Sequence, residues 1–168
     1  MNESYQEKYS VRTEFNQSTG MPTSMVWENA QGQQDAPGDL PSEMLFSEKG
    51  VLECAFWRRG GKLNRPGDLP TRIYYAADTG KPYAFLWDKD DLEHREGDRP
   101  SRIIFRQGSE QLEELAFCKN GQLFRRAGQN PLFNFHLDGT PVDDNDDPVE
   151  FEGFDEKWLP DCAMPRLF

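Results

Sequence analysis

The chain has no uninterrupted run of about 18 apolar residues, so no segment reads as a membrane-spanning helix. Its first ten residues, Met1 to Ser10, lack the basic start and apolar stretch of an export signal. Cysteine is scarce: Cys54, Cys118 and Cys162 are odd in number, far apart and without Cys-x-x-Cys spacing, which argues against a disulfide framework and a zinc site. These absences point to an unexported protein in the reducing cytoplasm.

Catalytic signatures are missing as well. There is no G-x-S-x-G, no phosphate-cradling glycine loop and no cysteine beside a histidine. Only two histidines occur, His94 and His136. Positive charge is also short: 19 Lys and Arg against 30 Asp and Glu leave a net charge of -11, which makes direct binding to a phosphate backbone or an anionic membrane unfavourable. Long helices are excluded for another reason, since 12 prolines and 14 glycines interrupt nearly every window that could hold three turns.

What is present is a repeat. Trp27, Trp57, Trp87 and Phe117 are each thirty residues apart, and Pro41, Pro70, Pro100 and Pro131 follow them by 14, 13, 13 and 14 residues. The loops before these prolines read alike, Pro37-Gly38-Asp39-Leu40, Pro66-Gly67-Asp68-Leu69 and Glu96-Gly97-Asp98-Arg99, with a looser Arg125 to Asn130. After each proline the chain turns strand-like, with Met44 and Phe46, Ile73 and Tyr75, and Ile103 and Phe105 on one face by alternation. A turn such as Ser47 to Gly50 or Asp78 to Lys81 follows, and a second strand climbs to the aromatic. Gly20 stands seven residues before Trp27, as Gly50 and Gly80 stand before Trp57 and Trp87, so a half unit begins near Tyr9 with Phe15 in the place of Tyr75. The expectation is an all-β fold: an elongated, twisted antiparallel sheet of about four hairpin repeats and about nine strands. Residues 1–8 form an N-terminal arm, 9–137 the repeat domain and 138–168 an acidic, aromatic C-terminal segment.

On Gly61 to Pro70, Leu92 to Pro100 and Gly121 to Pro131, the chain resembles the MORN-like β-hairpin repeat proteins, including bacterial antitoxin-type and phage or viral variants. It departs from the best-known members in lacking their Gly-Tyr-Gly spacing and in having a longer unit. The resemblance implies a curling sheet used as a scaffold for binding other proteins or membranes.

Recurring residues read first as structure. Arg65 with Asp68 and Arg95 with Asp98 return at the same phase and are expected to tie a turn, and the tryptophans are expected to stack in the core. His94, whose repeat equivalents are Asn64 and Phe124, is expected to be a solvated loop side chain. The run Asp143-Asp144-Asn145-Asp146-Asp147 begins like a calcium loop, but Pro148 stands where the turn needs glycine, so neither a metal nor another cofactor is expected.

The C-terminal segment lies outside the repeat. Residues 138–161 hold ten acids against Lys157 alone, which places nine of the eleven excess negative charges there. Asp143, Asp144, Asp146, Asp147, Glu150, Glu152, Asp155 and Glu156, interleaved with Phe151, Phe154 and Trp158, form the candidate partner-binding set, with capping of the last strand an equal reading. A mixed face carrying Glu43, Leu45, Arg72, Tyr74, Arg102 and Ile104 is a second candidate partner or dimer surface.

The functional expectation is a non-enzymatic, cytoplasmic module that binds a basic protein surface, such as that of a nucleic-acid-binding protein, and blocks or sequesters it. An anti-CRISPR-like phage inhibitor of bacterial defence, an immunity protein and an antitoxin all fit this description. Monomer and homodimer stay open. The alternatives are a structural scaffold polymerising through sheet edges, and an enzyme using the loop residues His94, Asp98 and His136.

Overall fold

The computed structural model describes residues 9–126 and 128–160; the N-terminal arm and Cys162 lie outside them. The protein is all-β, with no α-helix among the described residues and a single 3-10 turn at Glu156–Trp158. Ten strands form one antiparallel sheet of successive hairpins: β1 (Ser10–Phe15), β2 (Pro22–Glu28), β3 (Glu43–Phe46), β4 (Leu52–Phe56), β7 (Arg72–Tyr75), β8 (Pro82–Leu86), β11 (Arg102–Phe105), β12 (Leu112–Ala116), β15 (Leu132–Phe135) and β16 (Pro141–Val142). The remaining six pair as small hairpins within the loops: β5 (Arg58–Arg59) with β6 (Lys62–Leu63), β9 (Asp88–Lys89) with β10 (Leu92–Glu93), and β13 (Cys118–Lys119) with β14 (Gln122–Leu123).

The sheet has one strand more than the nine expected, because it continues past residue 137 into β16. The stretches read as plain loops also contain strands. Gly60-Gly61, Asp90-Asp91 and Asn120-Gly121 all take positive φ, the conformation that closes a two-residue hairpin with the right twist.

Alternation delivers one continuous inner row. Thr13, Met25, Met44, Ala55, Ile73, Phe85, Ile103, Leu115 and Phe133 face one another from strand to strand, and from Met44 onward they are buried. Such directly opposed pairs are what hold a sheet in register. Tyr75 and Phe135 join the same core, with Phe46 and Phe105 packed against it. Phe15, their counterpart on β1, is 59% exposed, because nothing described lies beyond that strand to cover it.

Four of the sheet's hairpins, β1–β2, β3–β4, β7–β8 and β11–β12, break register at the same place, while β15–β16 does not. The extra residue falls at Thr23, Glu53, Tyr83 and Glu113, again every thirty residues. A bulge bends its strand and increases the local twist, so four in phase curl the sheet in one sense.

Trp57 and Trp87 are buried with Phe117 in the core, as the repeat implies. Trp27 is only partly buried and stands outside that cluster. The cause is the missing neighbour: the indole N–H of Trp57 donates to the Asp39 carbonyl (3.0 Å) and that of Trp87 to the Asp68 carbonyl (3.0 Å), each in the preceding loop, and no described loop precedes Trp27.

One alignment needs correcting. Pro131 is not the fourth copy of Pro100; its carbonyl accepts from the Phe117 N–H as those of Ser42, Thr71 and Ser101 accept from Trp27, Trp57 and Trp87. Asn130 therefore occupies the proline position. The side-chain hydroxyl that Ser42 and Ser101 offer to the next strand's N–H has no equivalent there.

Candidate partner-binding surface

The unit loops are built around a clasp. The Arg65 guanidinium lies 3.9 Å from the Trp57 ring, grips the Asp39 carboxylate with two nitrogens (2.8 and 2.7 Å), and donates to the Pro70 carbonyl. Arg95 repeats this on Trp87 (3.7 Å), Asp68 (3.1 and 3.1 Å) and the Pro100 carbonyl. Planar stacking and the bidentate fork suit arginine and not lysine. Arg125 lies 4.3 Å from Phe117, but its nearest approach to Asp98 is 4.0 Å. The pairing runs between units, Arg65 to Asp39 and Arg95 to Asp68, and not within the loop as the sequence suggested; each clasp staples one unit to the one before it.

His94 is another correction. It is buried, with Nδ1 accepting from the Asn120 N–H (3.1 Å) and Nε2 on Glu96 (2.9 Å), so it pins the turn of the next unit just as Asn64 reaches Asp90. A loop histidine can be buried because the neighbouring hairpin turn closes over it. That contact also holds the Glu96 carboxyl below its usual range. Asp98 is engaged by Arg125 and Arg126, and the exposed His136 pairs with Asp146 (2.6 Å). No hydrogen bond or ion pair among the described residues joins His94, Asp98 and His136. Among those residues no group of three or more His, Cys, Asp or Glu side chains is placed to hold a metal. Burial pushes the thiols of Cys54 and Cys118 up to about 11, which keeps them protonated and unreactive near neutrality.

From β3 to β12 the outer face is a half-buried mixture in which the arginines are paired with carboxylates. Arg58 pairs with Glu43 (2.6 Å), Arg72 with Asp88 (2.8 Å), and Arg102 with both Glu93 (2.5 Å) and Glu114 (2.7 Å). Leu45, Tyr74 and Ile104 lie on the same face in the next row of the sheet, partly exposed.

The C-terminal segment offers a different surface. After β16 the chain turns at Asp143–Asp147, where the Asp143 carboxylate accepts the N–H groups of Asn145 (2.8 Å) and Asp147 (3.1 Å) and is thereby held below the usual carboxylate range. It then runs back over the inner face of the sheet. Phe151 packs on Phe133 and Phe135, Phe154 on Phe105, and Trp158 edge-on to Phe117, with ring centroids 5.1 to 5.8 Å apart. The Trp158 carbonyl accepts from Arg95 (2.9 Å), joining this strap to the clasp. The aromatics of the candidate set thus turn inward and pack on the chain's own core. Asp144, Asp146, Asp147, Glu150, Glu152, Asp155 and Glu156 are exposed, and Asp143 is partly so.

Beside the strap is a groove of about 840 Å³ between two hairpin turns, floored by Phe85, Phe105, Phe154 and Leu159 and rimmed by Glu110 and Glu156. Sequence reasoning missed this groove, because it forms between two successive hairpin turns and the returning C-terminal segment; Tyr83, at one of the bulges, lines it. No helix among the described residues is long and apolar enough to cross a membrane. The chain matches no protein-family model, no curated protein and no solved structure.

Proposed function

We propose that the chain is a non-enzymatic binding module that blocks or sequesters a protein bearing a Lys- and Arg-rich surface. The observation that carries this reading is the strap: its aromatics are fixed to the sheet while its carboxylates face solvent, so a dense negative field is held on a rigid support. A preorganised field of this kind accelerates encounter with a basic partner and loses little ordering entropy on binding. The adjoining groove accepts an apolar side chain at the centre of the contact, where buried anchors contribute most. The resemblance to antitoxin-type and phage-encoded repeat proteins supports the same class, with nucleic-acid-binding proteins as the natural owners of such basic surfaces.

The test is kinetic. A partner captured at low salt is compared for association with the wild type and with D144N/D146N/D147N. The variant is expected to associate about tenfold more slowly at low ionic strength and to show a flatter salt dependence, with its denaturation midpoint unchanged. Equal association rates across all salt concentrations would reject the reading.

A further inference from the structure

The two ends of the sheet differ. At one end β16 is closed: Val142 is bridged to Pro148, Val149 donates to the Pro141 carbonyl, and the strap continues from there. At the other end β1 is the outermost strand, and no described residue pairs with its outer side. It contains no proline, and its Val11 and Phe15 are 49% and 59% exposed. An edge strand of six residues without proline, carrying two exposed apolar side chains, is a template for another strand.

The hydrogen bonds show which groups that edge offers. Trp27 uses its N–H toward β3, so Val26, Ser24 and Glu28 face β1 and pair there with Arg12, Glu14 and Ser10. The N–H and C=O groups of Val11, Thr13 and Phe15 therefore point outward. Their side chains share the inner face, while those of Arg12 and Glu14 lie on the outer face.

We propose that two copies of this chain join edge to edge through β1, antiparallel about Thr13, to make one continuous sheet. A second copy is the occupant because the strand is complementary to itself in this register. Val11, Thr13 and Phe15 of one copy then exchange both main-chain bonds with Phe15, Thr13 and Val11 of the other. Inner faces stay aligned, so exposed Val11 meets exposed Phe15. On the outer face Arg12 meets Glu14, twice by symmetry. Sliding the copies by two residues in either direction preserves the bonding phase but sets Arg12 against Arg12 or Glu14 against Glu14, which like-charge repulsion opposes. Because β16 is closed, the association stops at two copies and does not propagate.

The experiment uses the full chain in analytical ultracentrifugation across a concentration series. The wild type is expected to dimerise. R12E and E14R are each expected to weaken the dimer by about tenfold or more, and R12E/E14R, which restores the opposite-charge contact with its polarity reversed, to recover it. T13P removes only an outward N–H that β1 and β2 do not use, so it is expected to abolish the dimer while the circular dichroism stays that of the wild type. T13C should form an intermolecular disulfide, since residues opposed in a bonded pair lie about 5.5 Å apart. A wild-type chain that stays monomeric up to its solubility limit overturns the proposal. So does a dimer indifferent to R12E and T13P, or a ladder of higher oligomers. All these readouts are independent of the acidic strap.

Discussion

At the scale of single residues, the contacts that join one unit to the next converge on arginines. Arg95 is the strongest case: its side chain is 2% exposed, it stacks on Trp87, and it satisfies Asp68, the Pro100 carbonyl and the Trp158 carbonyl together. Burial pushes its pKa down and the hydrogen bonds it donates to Asp68 oppose that shift, so the guanidinium keeps its charge because its partners surround it. R95M keeps much of the apolar stem but leaves those acceptors unpaired, and is expected to lose about 3 kcal/mol. Arg65 lacks the strap contact, and Arg125 has Phe117 in place of an indole and only a long approach to Asp98. R65M should therefore cost less than R95M, and R125M about 1 kcal/mol. Urea denaturation of the three variants measures this order, and equal losses would show that the clasp is not what distinguishes the sites.

At the scale of elements, the strands and hairpins were legible because alternation and turn residues are local signals. Ile73 with Tyr75 and Ile103 with Phe105 share the inner face as their spacing dictates. The bulges were not legible, since Thr23, Glu53, Tyr83 and Glu113 share a position and no chemistry; only register exposes them. The burial of His94, the partial exposure of Trp27 and the shifted place of Pro131 all depend on what a neighbouring unit supplies, which no local window contains. The strap was half legible: acids and aromatics stood out in the sequence, but their separation onto two sides required the backbone path. That separation predicts separable effects. W158A removes the edge-on contacts to Phe117 and Phe154 and is expected to destabilise by about 2 to 3 kcal/mol, less than a fully buried aromatic because Trp158 is partly exposed. The acid-to-amide variant D144N/D146N/D147N should leave stability nearly unchanged. A W158A protein as stable as the wild type would mean that the strap does not cover the core in solution.

At the scale of the whole molecule, successive hairpins contact mainly the hairpins on either side, so stability is close to a sum over units and their interfaces, and the end units have one interface each. The two ends are not equivalent. The C-terminal end carries the strap, whose Phe151 covers Phe133 and Phe135, and Arg95 ties it back to an inner unit. The N-terminal end has a partly buried Trp27 without the clasp, and an uncovered Phe15. Opening should therefore begin at β1 and β2 and reach the strands from β7 to β12 last. Hydrogen exchange tests this residue by residue: the Arg12, Glu14 and Val26 amides should exchange through a low-energy opening, and those of Ile73, Phe85, Ile103 and Leu115 near the free energy of global unfolding. The outward amides of Val11, Thr13 and Phe15 add a second dimension. They should exchange freely in dilute solution and slow as concentration rises, because no described residue of the same chain protects them and a second copy would. Protection that rises first at the N-terminal end and falls toward the strap, at low concentration, would contradict the asymmetry on which both expectations rest.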